Sequence, residues 1–152
     1  RRPTRIVSDG TSSVGVYSYQ NFEKFLQAKN DTTYIINFWA TWCGPCVAEL
    51  PYFERLFQQY KNEPVRFVFV SLDFEKELEK KLLPFLQKNK LNGEVLVLSQ
   101  KGMNDWIGKI DSTWSGTLPT TLIYNKTGRD FYPHSFEYPA LEGALNKRLH
   151  VQ

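Results

Sequence analysis

Cys43 and Cys46 are the only two cysteines of a 152-residue chain, separated by Gly44 and Pro45 at the end of the run NFWATWCGPC. Thiols at that spacing can form a reversible dithiol–disulfide couple, a static cross-link, or half of a metal site. The residues before them read as a strand and those after them as a helix, which puts Cys43 at a helix N-terminus. Unpaired N–H groups and the positive end of the helix dipole there favour the thiolate, making Cys43 the expected nucleophile near neutrality. Cys46, one turn further in, is placed to attack a mixed disulfide on Cys43 and release the substrate. Gly44 leaves the approach to Cys43 uncluttered, and Pro45 stiffens the turn in a way that favours the dithiol. A static cross-link over so short a loop would remove only roughly 2 kcal/mol of unfolded-state entropy, from a helix start that is already rigid. A structural zinc site needs four ligands, and only His134 and His150 remain as soft partners. The redox couple is therefore the favoured reading, with cross-link and metal site as its alternatives, and no metal is expected.

The elements that must hold this pair follow from hydrophobic periodicity. TTYIINFW is a β-branched and aromatic run bounded by polar residues, the pattern of a strand buried on both faces. From Cys43 to Tyr60, the residues Val47, Leu50, Phe53, Leu56 and Phe57 make a helical stripe. Pro45 falls in the first turn, where a missing N–H is harmless. Pro51 falls in the interior and is expected to kink the helix. Upstream, residues 1–17 read as a lead-in with one short strand, followed by a helix in YSYQNFEKFLQAKND capped by Ser18 or Asn21. Downstream, VRFVFVS is a strand, Glu75 to Asn89 a helix with a second interior proline at Pro84, EVLVLS a strand and GMNDWIGKI a short helix. TTLIYN, the turn NKTG and RDFYP make a hairpin, and Leu141, Ala144, Leu145 and Leu149 mark a closing helix. The order αβαβαβαββα predicts an α/β fold, with a parallel sheet built by crossovers and an antiparallel hairpin at its edge.

A hydrophobic content of 41% with 23% charged residues is that of a globular chain, and one domain over residues 18–152 is expected after the lead-in. The net charge of +3 is not gathered into blocks and makes no case for nucleic acid. No run of about 18 apolar residues is present to span a membrane. The opening on Arg1 and Arg2 rather than Met suggests a processed product whose leader or anchor lies outside this chain.

WCGPC, Trp42 to Cys46, resembles the active-site sequence of the thioredoxin superfamily, and the wider stretch NFWATWCGPCVAELP is similar to its TlpA/ResA-like extracytoplasmic branch. The shared features are Asn37, Glu49 three residues after the second cysteine, and Leu50-Pro51. LPTTLIYNKTG, residues 118–128, looks like the segment that carries that family's cis-proline and hairpin. The resemblance implies a thioredoxin fold: a central mixed sheet flanked by helices, with an inserted helix and strand in the middle and a C-terminal hairpin plus helix. It implies Cys43 as attacking thiol and Cys46 as resolving thiol. It also implies a cis Pro119 facing the pair, the backbone of Leu118 pairing with an extended substrate, and Trp42 on the docking rim. The activity implied is thiol-disulfide exchange with protein substrates, running as a reductase, with no cofactor beyond the redox-active disulfide. A monomer is implied, recharged by an upstream dithiol donor that a membrane could carry, in a bacterial periplasm or anchored at the envelope. The rival readings are a peroxidase of related fold and a non-catalytic binding or chaperone module.

The departures concern protons. Cytosolic thioredoxins place a buried Asp six residues before the first cysteine, and here that position is Asn37, which cannot act as a base. Candidates for proton handling are Glu49 on the active-site helix and Asp73 or Glu75 after the second strand. Trp106, Trp114 and Tyr138 add large rings whose expected place is the core, with an apolar docking face as the alternative.

Overall fold

The structure is a computed structural model, and it describes residues 2–151. Seven strands form one mixed sheet in the order β1-β2-β5-β4-β3-β6-β7. At its centre, β3 (Thr33–Trp39) lies parallel to β4 (Val65–Ser71), which lies parallel to β5 (Glu94–Leu98). On the other side of β3, β6 (Thr120–Asn125) is antiparallel and continues into β7 (Gly128–Tyr132) through a turn in which the Thr127 N–H donates to Asn125 Oδ1 at 2.9 Å. This is the predicted thioredoxin fold, including the inserted β5 and the C-terminal hairpin.

Residues 1–17 correct the expectation of a lead-in with one strand. Residues 5–17 hold two, β1 (Arg5–Ser8) and β2 (Ser13–Tyr17), in an antiparallel hairpin whose β2 lies parallel to β5. Serines and glycines surround Val7, Val14 and Val16, and this polar setting hid a period-two pattern that all three confirm by being buried. The observed order therefore opens with a hairpin before the first helix.

That helix, α1 (Tyr19–Phe22), is shorter than predicted and tightens into a 3₁₀ turn over Glu23–Leu26, with Ser18 capping it by accepting the Asn21 N–H. The active-site helix α2 runs from Gly44 to Tyr60 with Pro51 inside it. The expected helix from Glu75 to Asn89 is three pieces: a 3₁₀ turn (Glu75–Glu77), a π-helical turn (Leu78–Leu82) and α3 (Leu83–Lys88). Pro84 explains the division, since its ring has no N–H to offer the preceding turn and crowds the carbonyl four residues back, which a widened turn relieves. Helices α4 (Met103–Ile110) and α5 (Tyr138–His150) complete the chain.

Strand alternation sorts the core into two layers. Ile35 and Trp39 of β3 face α2, α3 and α5, whereas Tyr34, Ile36 and Phe38 face α1 and α4. Trp106 and Trp114 are buried in the second layer and Tyr138 in the first, so all three rings are core. Asn37 lies between Ile35 and Trp39 on the α2 face, a polar residue between two apolar ones.

Gly93 tests how tightly the inserted strand is seated. It has a φ of +151°, and a Cβ there would lie 2.8 Å from the Phe67 carbonyl oxygen. Gly93→Ala is expected to lower stability by about 2 kcal/mol, read from the midpoint of urea unfolding.

Candidate active site

β3 ends at Trp39, and the chain crosses Ala40, Thr41 and Trp42 to reach Cys43, the N-cap of α2. Cys43 is held there by its own N–H, which donates to the Ala40 carbonyl at 3.2 Å, and by its Sγ, which accepts the Cys46 N–H at 3.3 Å. A sulfur in that position receives one of the helix's unpaired donors, the geometry that favours a thiolate. Cys43 and Cys46 form a disulfide with their Cα atoms 5.3 Å apart. Cys46 is fully buried, whereas Cys43 is 6% exposed and so is the sulfur that a partner can reach. A side chain built on Gly44 would meet nothing, so the face beside Cys43 is open. Among the described residues no cluster of three or more His, Cys, Asp or Glu side chains is arranged to hold a metal.

The Leu118–Pro119 peptide bond is cis. Register places it at the cysteine end of the sheet, because Thr120 pairs with Phe38, one residue before β3 ends. The loop is pinned by the Thr117 carbonyl, which accepts from Trp114 Nε1 at 2.9 Å and from the Thr120 hydroxyl at 2.8 Å. Leu118 is half-buried, with its backbone at the start of β6.

Trp42 is 58% exposed and stacks on Phe74, itself 51% exposed, with ring centroids 6.1 Å apart. The two rings wall a groove of about 440 Å³ that Thr41, Lys81 and Phe85 complete. Phe74 was not visible in the sequence as a site residue; its neighbours Asp73 and Glu75 were the only hints.

The carboxylates part company. Asp73 is buried, accepting from the Thr41 N–H at 3.0 Å, the Thr41 hydroxyl at 2.5 Å and the Ser71 hydroxyl at 2.6 Å. It ties the cysteine loop to the end of β4. Glu75, by contrast, is exposed, paired with Arg5 at 3.0 Å and accepting from the Ser99 hydroxyl at 2.9 Å, so it belongs to a surface network rather than to this site. Asp73→Ala would leave the part-buried Thr41 N–H and hydroxyl and the buried Ser71 hydroxyl without this acceptor. The expected loss is about 2 kcal/mol, with faster hydrogen exchange at the Thr41 amide as its local signature.

Glu49 lies on α2 one turn beyond Cys46 and is buried. Its Oε2 accepts the Phe136 N–H at 2.8 Å and its Oε1 the Asn37 amide N–H at 3.2 Å. Burial pushes its pKa up to about 7, although those two donors and His134 pull the other way. A groove of about 250 Å³ between α2 and residues 135–137, lined by Pro45, Ala48 and Tyr52, leads from Glu49 to solvent. The anchoring N–H of Phe136 could not be read from PHSFEYP, which has no periodicity to place it. The Asn37 Nδ2 also donates to Thr121 Oγ1 at 3.2 Å, and its Oδ1 is buried without a partner.

A cysteine pair at a helix start, a cis-proline beside it and this sheet order define the class: a thioredoxin-fold protein with a Cys-Gly-Pro-Cys disulfide. Residues 13–83 match the thioredoxin family model. Its curated relatives include proteins named as thiol-disulfide oxidoreductases. It is 33% identical over 119 residues to the thiol-disulfide oxidoreductase ResA of Oceanobacillus iheyensis, covering 74% of this chain and 55% of that one. It is 30% identical over 96 residues to the sporulation thiol-disulfide oxidoreductase A of Bacillus subtilis, covering 62% of this chain and 53% of that one. The chain thus spans about half the length of the curated relatives it matches. The fold is shared with a DsbF homologue from Corynebacterium diphtheriae at a TM-score of 0.64, over 95% of this chain and 85% of the other at 16% identity.

Proposed function

We propose that the chain is a thiol-disulfide oxidoreductase that reduces disulfides in protein substrates. The observation that carries this reading is the placement of Cys43 Sγ as acceptor of the Cys46 N–H at the start of α2, disulfide-bonded to a fully buried Cys46. In the dithiol form the Cys43 thiolate attacks one sulfur of the substrate disulfide, forming a mixed disulfide and expelling a substrate thiolate. Cys46 then gives up its proton and attacks Cys43 Sγ, which re-forms the Cys43–Cys46 disulfide and releases the second substrate thiolate. Glu49 is our candidate acceptor for that proton, being within one helical turn of Cys46 and poised near neutrality. Asp73 positions the loop.

Trp42 and Phe74 offer an apolar wall to the substrate, and the half-buried Leu118 offers backbone groups that an extended segment can pair with as an added strand. Gly-Pro between the cysteines supports the reducing direction, since thioredoxin, which carries the same pair, has a potential of about −270 mV. Each turnover leaves the protein oxidised, so an upstream dithiol must recharge it. The ResA and DsbF relatives support a site of action outside the cytoplasm, in the periplasm or at the envelope, for a monomer whose residues 18–152 form one domain extended by the N-terminal hairpin. Among the described residues no helix is long and apolar enough to cross a membrane.

The test is reduction of insulin by the protein kept reduced with dithiothreitol. Acceleration of insulin precipitation over dithiothreitol alone is expected, and a rate equal to that background overturns the reading.

A further inference from the structure

Asn37 is a buried polar side chain of β3 that bonds to Glu49 of the active-site helix, and half of its amide is unsatisfied. Its Nδ2 is fully used, donating to Glu49 Oε1 and to Thr121 Oγ1, each at 3.2 Å. Its Oδ1, on the far side of the same planar group, is buried and has no partner. A buried acceptor left unpaired is costly, so this orientation persists because a hydrogen bond from Nδ2 to a charged carboxylate outweighs it.

That balance depends on Glu49 being charged. A proton on Oε1 would meet the Asn37 N–H head on, donor against donor. Rotating the amide half a turn about Cβ–Cγ removes the conflict. Oδ1 then accepts from the Glu49 O–H and from the Thr121 hydroxyl, whose proton is free to rotate toward it. The orphan acceptor becomes an orphan donor, so the far side of the amide favours neither orientation strongly and the Glu49 proton decides between them. We propose that Asn37 is a two-position hydrogen-bond switch for Glu49, donating to the carboxylate and turning over to accept from the carboxylic acid. This rests on the reading of Glu49 as the site's proton acceptor. It assigns Asn37 a positioning role that an Asp at this site could not fill, because a second carboxylate would compete for the same proton.

Other groups around Glu49 are few. β6 contributes only the Thr121 hydroxyl, and α2 carries the disulfide one turn before Glu49 and Tyr52 three residues after it. The segment after β7 brings the Phe136 N–H, His134, and Glu137, which bonds Tyr52 across the groove mouth. Of these, His134 is exposed to solvent.

The decisive measurement is NMR on the oxidised protein between pH 5 and pH 9, following the Glu49 side-chain carboxyl 13C and the NOEs from the Asn37 amide protons to Thr121. At high pH those NOEs are expected to be strong, and they should fade as the Glu49 carbon reports protonation, with the same midpoint. In Glu49→Gln, the Gln oxygen keeps the Phe136 N–H and its NH2 faces Asn37. The NOEs should then be weak throughout the pH range. In Asn37→Leu, which removes a donor to the carboxylate, the Glu49 midpoint should rise by about one pH unit. NOEs that stay constant while Glu49 titrates, or that remain strong in Glu49→Gln, overturn the switch. The measurement involves no turnover, so a protein that fails with insulin but shows the coupled change would overturn the functional reading and leave the amide rotation standing.

Discussion

Replacing Cys43 by Ser is expected to abolish reduction of protein disulfides, a loss on the order of a thousandfold or more, while leaving the fold in place. A hydroxyl at the N-cap of α2 still accepts the Cys46 N–H, so helix capping survives the change. What disappears is the thiolate, without which no mixed disulfide forms. Cys46→Ser should behave differently. Its Cys43 retains access to a partner, so the first exchange proceeds and the second cannot, and the protein should accumulate as a covalent adduct with its substrate. Mass spectrometry of each variant after incubation with an oxidised protein separates the two roles. Adducts on Cys46 in the Cys43→Ser protein would reverse the assignment. The burial of the two residues argues against that outcome, since Cys46 is sealed beneath the helix start.

The second large effect is a pH dependence of stability that runs opposite to that of most carboxylates. Burial raises the Glu49 pKa to about 7, whereas in the unfolded chain the group returns to an ordinary value near 4.5. Below about pH 4.5 both states hold the proton and the group contributes nothing. As pH rises through the window from about 4.5 to about 7, the unfolded chain ionises Glu49 while the folded one resists, so stability falls. Above about 7 the penalty is complete, roughly 3 kcal/mol for a shift of this size. Glu49→Gln removes the ionisation and should be more stable than the parent by a margin that grows across that window and then levels off. Urea unfolding of both proteins at pH 5 and pH 8.5 measures it. A margin that is the same at both pH values would mean that Glu49 ionises normally in the folded protein. A group tolerated at such expense beside a redox pair is readily understood if its proton is used.

The sequence made the centre of the site legible and left its edges hidden, for physical reasons. Cys43, Cys46 and Gly44 could be placed because strand and helix periods change between Trp39 and Gly44, and local rules suffice where a chain passes from one element to the next. Glu49 matched a motif, but its environment depends on Phe136, 87 residues away in sequence, and on Thr121, the cross-strand partner of Asn37. Such contacts arise from topology rather than from local pattern. Asp73 and Glu75 illustrate the same limit. Two residues apart after the same strand, one turns inward to bond Thr41 and the other outward to Arg5, and nothing in LDFEK distinguishes them. The N-terminal hairpin escaped because its alternation was carried by three valines among glycines and serines, and the helix from Glu75 was overestimated because its leucine stripe runs on past Pro84, whereas the backbone there divides into three pieces.

The hairpin of β1 and β2 matters for more than the number of strands. Without it the sheet would end at β5, whose inserted segment would then present an open row of amide and carbonyl groups above the buried side chains of Leu96, Val97 and Leu98. Strands of that composition recruit one another. By occupying that row with β2, and placing outermost the four-residue β1 with Arg5 at its start, the chain moves this edge of the sheet from a buried apolar strand to a short one that opens on a charge.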